Sequence, residues 1–168
     1  LKPNVDRLAY SILFEMDELA NMLNYTIKKT VIHSNVRFTY QSAQDVIDNK
    51  KGKLVTELLL LDKLSKILRE KRQQNGSINF ESKEVKFILD KSNNPIDVYF
   101  KESLPTNHLI EEFMLLANKT VAKHIGFPTK DAKTFVYRIH DKPDSDRIST
   151  LNNIVKKFGY SINNDTSD

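Results

Sequence analysis

The stretch "HLIEEFMLLANKTVAKHI", residues 108–125, constrains the fold more than any other part of the chain. At about 100° per residue on a helix, Leu109, Ile110, Phe113, Met114, Leu116, Ala117 and Val121 cover one broad arc, which Leu115, Ala122 and Ile125 extend. A helix apolar almost all round must lie inside a multi-element domain rather than on its surface. Its few polar residues fall in two sectors. Glu112, Lys119 and Lys123 share a narrow one, which reads as a solvated stripe of opposite charges. Glu111 and Asn118, nearly two turns apart, share another, flanked by Met114, Leu115, Ala122 and Ile125. The pattern predicts a polar pair in apolar surroundings, which demands a hydrogen-bonding or binding role.

Around this helix, 168 residues suffice for one domain with its own core, and 39% apolar with 29% charged residues is a soluble globular composition. No apolar run reaches the ~20 residues that span a bilayer, and no basic segment followed by an apolar one opens the chain, so a cytoplasmic protein without membrane contact is expected. The absence of cysteine excludes disulfides, thiol catalysis and thiolate metal sites, and the four histidines (His33, His108, His124, His140) lack ligand spacing. A net charge of +4 fits a polyanionic partner only weakly. The chain starts at Leu1 and ends in the polar "NNDTSD", which reads as an excised piece: a domain over 1–160 and a tail over 161–168.

Strand and helix signals alternate along it. "VDRLAYSILFEMDE" and "NMLNYTIKKTVIHS" read as long antiparallel strands joined near Asp17 to Asn21. "RFTYQSAQDVIDN" reads as a short helix capped by Thr39, with Phe38 and Ala43 at staple positions. "LVTELLLLDKLSKILREKRQQNG" has helical leucine spacing, a basic C-terminal end and a terminal glycine. "SINFES", "EVKFILD" and "PIDVYFKE" predict a three-stranded meander, "TFVYRIHD" a further strand, and "DSDRISTLNNIVKKFGY" a final amphipathic helix. The fold class is α+β, antiparallel strands packed with several helices.

Each chemical constellation has a plainer structural explanation. Asp141, Asp144 and Asp146 are close enough to suggest a hard cation, but lack the glycine and later glutamate of a calcium loop. Asp144 as a helix cap, with Asp146 in the first turn, is the favoured reading. No glycine-rich phosphate loop or nucleophile elbow occurs. Basic groups at Lys28-Lys29, Lys50-Lys51-Lys53 and Lys66-Arg69-Lys71-Arg72, interleaved with Tyr25, Phe38 and Tyr40, could neutralise phosphates and stack bases, although solvated faces and core aromatics explain them as well.

The succession "LKPNVDRLAYSILFEMDE", "TVIHSNVRFTYQSAQDVID", "NGSINFES", "EVKFILD", "LIEEFMLLANKTVAKHI", "FVYRIHDKPD" and "FGY" resembles the catalytic domain of the ribonuclease R and ribonuclease II exoribonucleases over essentially the whole chain, most closely the Bacteroides type. The resemblance implies part of a ribonuclease II-type catalytic domain and a parent enzyme that degrades RNA processively from the 3′ end to nucleoside monophosphates with Mg²⁺. It implies metal-binding aspartates upstream of "LKPN" and a catalytic arginine in a Ser-Pro-Ile-Arg stretch downstream of "FGY", so no catalytic or metal-binding residue is expected in this chain. It also carries two positions over as RNA-binding: Tyr40, the tyrosine of "RFTY", and Glu111, the first glutamate of "LIEEFMLLAN", which in the family contact terminal sugars and favour RNA over DNA. Asn118 is a possible support for Glu111, while Arg138 and His140 match the family and read as structural. The expected partner is RNA, contacted along one wall of its channel, with self-association possible through former domain interfaces. The alternative is a non-catalytic RNA-binding or interaction module.

Overall fold

A computed structural model describes residues 2–78, 84–127, 133–139 and 141–162, apart from the Glu84 and Lys101 side chains. Its elements, in chain order, are β1 (Asp6–Met16), β2 (Met22–His33), α1 (Tyr40–Asn49), α2 (Val55–Gln74), β3 (Glu84–Leu89), β4 (Pro95–Lys101), α3 (Pro105–Gly126) and α4 (Ser145–Lys156). The α+β arrangement is as expected.

The two hairpins, β1–β2 and β3–β4, share one turn design. Asp17 Oδ1 accepts the N–H groups of Leu19 at 2.9 Å and Asn21 at 2.7 Å, and Oδ2 accepts Asn21 Nδ2 at 2.7 Å. Asp90 repeats the pattern with Ser92 N at 2.7 Å, Asn94 N at 2.9 Å and Asn94 Nδ2 at 3.2 Å. Each turn passes through a left-handed residue, Ala20 (φ 54°) or Asn93 (φ 64°), and each ladder shifts register beside it, at Glu15/Met16 and Ile88/Leu89. An aspartate followed four residues later by asparagine supplies both acceptor oxygens and the side-chain donor that closes the loop. Hydrogen bonds from Asn21 to Asp17, led by its backbone N–H, and equally from Asn94 to Asp90, hold both carboxyls below an aspartate's ordinary pKa.

The helices pack against one another through α1–α2, α1–α3 and α2–α3, and the core between them holds Ala43, Ile47, Leu64 and Leu109. Thr39 caps α1 in a capping box with Ser42, as expected. Beyond the left-handed Lys50, Gly52 sits at φ 133°, where an added Cβ would lie 2.8 Å from Val46 Cγ2, so the turn into α2 requires glycine. α3 starts at Pro105, before the apolar stretch, with Pro105 at the first-turn position that favours proline and Asn107 Oδ1 accepting the Leu104 N–H at 3.0 Å. Asp144 caps α4, accepting the N–H groups of Asp146 at 2.9 Å and Arg147 at 3.2 Å.

One expected strand differs, and another lies mostly outside the described residues. Of the first strand of the predicted meander, Ser77 and Ile78 lie outside any strand and residues 79–83 fall outside the described residues; among the described residues β3 and β4 form a two-stranded sheet. "TFVYRIHD" is not a strand over 134–139. Alternation and β-branching favour strand only where a partner edge is available, and this segment is held by side chains instead. Tyr137 donates its hydroxyl to the Gly126 carbonyl at 3.2 Å, and its ring meets Phe135 edge-on at 5.2 Å.

Candidate RNA-contact surface

Tyr40 opens α1, and two buried polar side chains fix where it stands. Thr106 Oγ1 donates to the Tyr40 carbonyl at 3.0 Å, and the Thr106 N–H donates to Gln44 Oε1 at 3.2 Å. Gln44 in turn donates to Asp48 Oδ1 at 2.8 Å. This ties the first turn of α1 to the first turn of α3. The Tyr40 side chain, 46% exposed, lines an apolar groove of about 600 Å³ between α1, α2 and α3, together with Phe38, Leu58, Leu61, Leu109 and Ile110. Gln44 and Thr106 were not singled out by the sequence, because polar residues in a first turn look the same whether they cap, solvate or bridge.

On α3 the structure reverses the expected burial of the two glutamates. Glu112 is the buried one, 3% exposed, and Glu111 is exposed. The buried face of α3 holds Thr106, Leu109, Glu112 and Thr120, with Phe113 and Leu116 half-buried beside them, and Glu112 lies about 60° from Leu109, whereas Glu111 and Asn118 lie about 160–180° away. Apolar neighbours on a helical wheel did not mean burial at that sector, and Asn118 is likewise exposed. The partner of the buried Glu112 carboxylate comes from α2. Arg72 Nε lies 3.1 and 3.2 Å from its two oxygens, and Arg72 Nη2 lies 2.6 Å from Oε1, a fork-to-carboxylate pair. The hydrogen bond to Glu112 is the main reason the Arg72 guanidinium is held above its ordinary pKa. Arg72 Nη1 also donates to Ser77 Oγ at 2.7 Å.

Glu111 stands at the rim of the same cluster. Its Oε1 accepts from Arg72 Nη2 at 3.3 Å, its Oε2 faces His108 Nδ1 at 3.4 Å, and Arg69 Nη1 stands 3.9 Å from Oε2. Glu111 therefore has charged partners rather than Asn118 as its support. The clue in the sequence was the i,i+3 pair Arg69 and Arg72 beside two adjacent glutamates, legible only once α2 and α3 are known to pack.

The other singled-out residues are dispersed. Tyr25 donates to or accepts from His124 Nδ1 at 3.1 Å and packs edge-on against its ring, so it ties β2 to α3. Lys71 Nζ donates to the Leu19 carbonyl at 2.7 Å and Asn21 Oδ1 at 2.6 Å, and Lys66 pairs with Asp62 at 2.6 Å. Arg138 is exposed, and His140 lies outside the described residues. Among the described residues no three His, Asp or Glu side chains are grouped to hold a metal ion. Asp144, of the acidic cluster, is engaged through Oδ1 as the cap of α4. Among the described residues no helix is long and apolar enough to cross a membrane.

Known proteins place this arrangement. The RNB domain model matches residues 1–167. The exosome complex exonuclease dis3 of Schizosaccharomyces pombe is 41% identical over 99% of the chain, and ribonuclease R of Aquifex aeolicus is 34% identical over 96%. The chain spans only 17% and 23% of those two proteins. In fold it is similar to Mycoplasma genitalium RNase R in complex with ribose methylated single-stranded RNA, with a TM-score of 0.78 and 24% identity over 99% of the chain and 27% of that protein. With the domain model matching residues 1–167 and two relatives more than 30% identical over nearly all of the chain, the chain belongs to the RNB domain family.

Proposed function

We propose that the chain is a segment of a cytoplasmic, processive 3′-to-5′ hydrolytic exoribonuclease, in which it forms one wall of the RNA channel. The observation that carries the reading is the placement of Tyr40, half exposed in an apolar groove that Ile110, the residue before Glu111, also lines. A phenol can stack on or hydrogen-bond a terminal sugar, and an ionised carboxylate accepts from a ribose 2′-hydroxyl, a donor that DNA lacks. The names of the relatives, an exosome exonuclease and a ribonuclease R, support the same activity. The Mg²⁺ that such hydrolysis uses would be held by aspartates outside this chain, with the catalytic arginine also outside it.

The test has two arms. The purified chain, incubated with single-stranded RNA and Mg²⁺, should release no nucleotides, while the complete protein containing it should release nucleoside monophosphates from the 3′ end. In that complete protein, Tyr40→Ala and Glu111→Ala should each narrow the preference for RNA over a DNA strand of the same sequence. Binding of RNA by the complete protein without any hydrolysis would instead establish the non-catalytic module.

A further inference from the structure

Glu111 is not a free surface carboxylate. Its two oxygens are gripped from different elements, Oε1 by Arg72 Nη2 of α2 at 3.3 Å and Oε2 by His108 Nδ1, one turn earlier on α3, at 3.4 Å. The first grip is itself held rigid. Arg72 is 22% exposed, forked onto the buried Glu112 through Nε and Nη2, and bonded through Nη1 to Ser77 at 2.7 Å, so its guanidinium plane has no freedom to follow a moving partner. A carboxylate offers about four lone-pair sites. One on each oxygen is taken, and sites remain on the exposed side, where Glu111 is 47% accessible.

We propose that Arg72 and His108 are positioning residues that fix the Glu111 carboxylate in a single orientation, with Glu112 and Ser77 anchoring Arg72, so that an oxygen is already aimed when a ribose 2′-hydroxyl arrives. The inference rests on the reading of Glu111 as a sugar contact. Its physical content is preorganisation: a glutamate with three free torsions must be ordered when it binds, whereas one already clamped is ordered beforehand. His108 serves in this arrangement as the tautomer carrying the Nδ1 proton. The buried Glu112 then has a part in substrate choice without approaching the substrate.

The experiment measures kcat/KM of the complete protein on matched RNA and DNA oligonucleotides for Glu111→Ala, Arg72→Lys, His108→Ala and His108→Asn, with a thermal melt of each. Arg72→Lys keeps the charge and loses the fork, and it should lower the RNA-to-DNA ratio about two- to tenfold, the range expected for one hydrogen bond. His108→Ala should lower it similarly. His108→Asn, whose amide N–H replaces the Nδ1 proton, should restore most of the loss, which a merely structural defect would not allow. In a Glu111→Ala background neither Arg72→Lys nor His108→Ala should move the ratio further. If Arg72→Lys melts too early to assay, His108→Ala decides, because it leaves the Arg72–Glu112 pair intact. A lowered ratio in Glu111→Ala with a parental ratio in His108→Ala overturns the positioning role and leaves the sugar contact standing. A parental ratio in Glu111→Ala overturns both.

Discussion

Replacing Arg72 by alanine would remove the forked guanidinium from a carboxylate that is 3% exposed, leaving Arg69 Nη1 at 4.0 Å from its Oε1. Breaking a buried pair from one side typically costs about 3–5 kcal/mol, so Arg72→Ala should shift the urea midpoint of the folded protein far more than Glu111→Ala, which removes an exposed group. A smaller effect in the opposite direction is expected at Lys50. This exposed residue ends α1 in the left-handed region at φ 52°, where an L side chain is strained. Lys50→Gly should therefore stabilise by about 0.5–1 kcal/mol, read as a higher melting temperature. At this scale the sequence was only partly legible. Thr39 and Asp144 announced themselves as caps because capping is a local event. Glu111 and Glu112 did not reveal which was buried, because that depends on where an arginine from another helix arrives.

At the scale of elements, local chemistry decided most outcomes. Both hairpins appeared where alternating apolar runs were interrupted by an aspartate and an asparagine four residues apart. Their turns also carry a pH dependence whose sign follows from the depressed carboxyls of Asp17 and Asp90. A carboxyl held below its unfolded pKa contributes its full stabilisation above that unfolded value and loses it as the pH falls through the lower folded one. Both turns should thus hold at neutral pH and loosen only in strongly acid solution. Asp17→Asn, which removes the charge, should flatten the acid limb of the stability profile measured by circular dichroism. The segment 134–139 marks where element-level reasoning stops: it has strand composition, but pairing requires an edge that sequence composition does not supply.

At the scale of the molecule, the helical triangle of α1, α2 and α3 contains the core, and the two ribbons leave apolar side chains in the open. Leu8 is 89% exposed, Tyr10 76%, Val31 63%, Ile96 66%, Phe87 60% and Phe100 61%. Surfaces of this kind rarely remain bare on a monomer. The chain by itself is expected to self-associate at micromolar concentration, and sedimentation across a hundredfold dilution should show mass rising with concentration, whereas one unchanging monomer would refute it. Fold class was readable in advance because periodicity distinguishes helix from strand. The amount of apolar surface left exposed was not, since the wheel of α3 shows that a residue is apolar but not whether anything lies against it.

The attachment of the first ribbon has a dynamic consequence. Its bonds to the helices leave from the turn end: Glu18 to Lys63, Leu19 and Asn21 to Lys71, Met22 to Thr120 and Tyr25 to His124. The opposite end is closed by the ribbon's own contacts, His33 with Asp6 at 2.6 Å and the Asn4 N–H to the Ser34 carbonyl at 2.9 Å. Local opening follows the weakest attachment. Amide protons of the ladder should therefore exchange with deuterated solvent on a gradient, fastest near Arg7 and Ile32 and slowest near Phe14 and Tyr25, so that the ribbon unzips from its chain ends toward its turn.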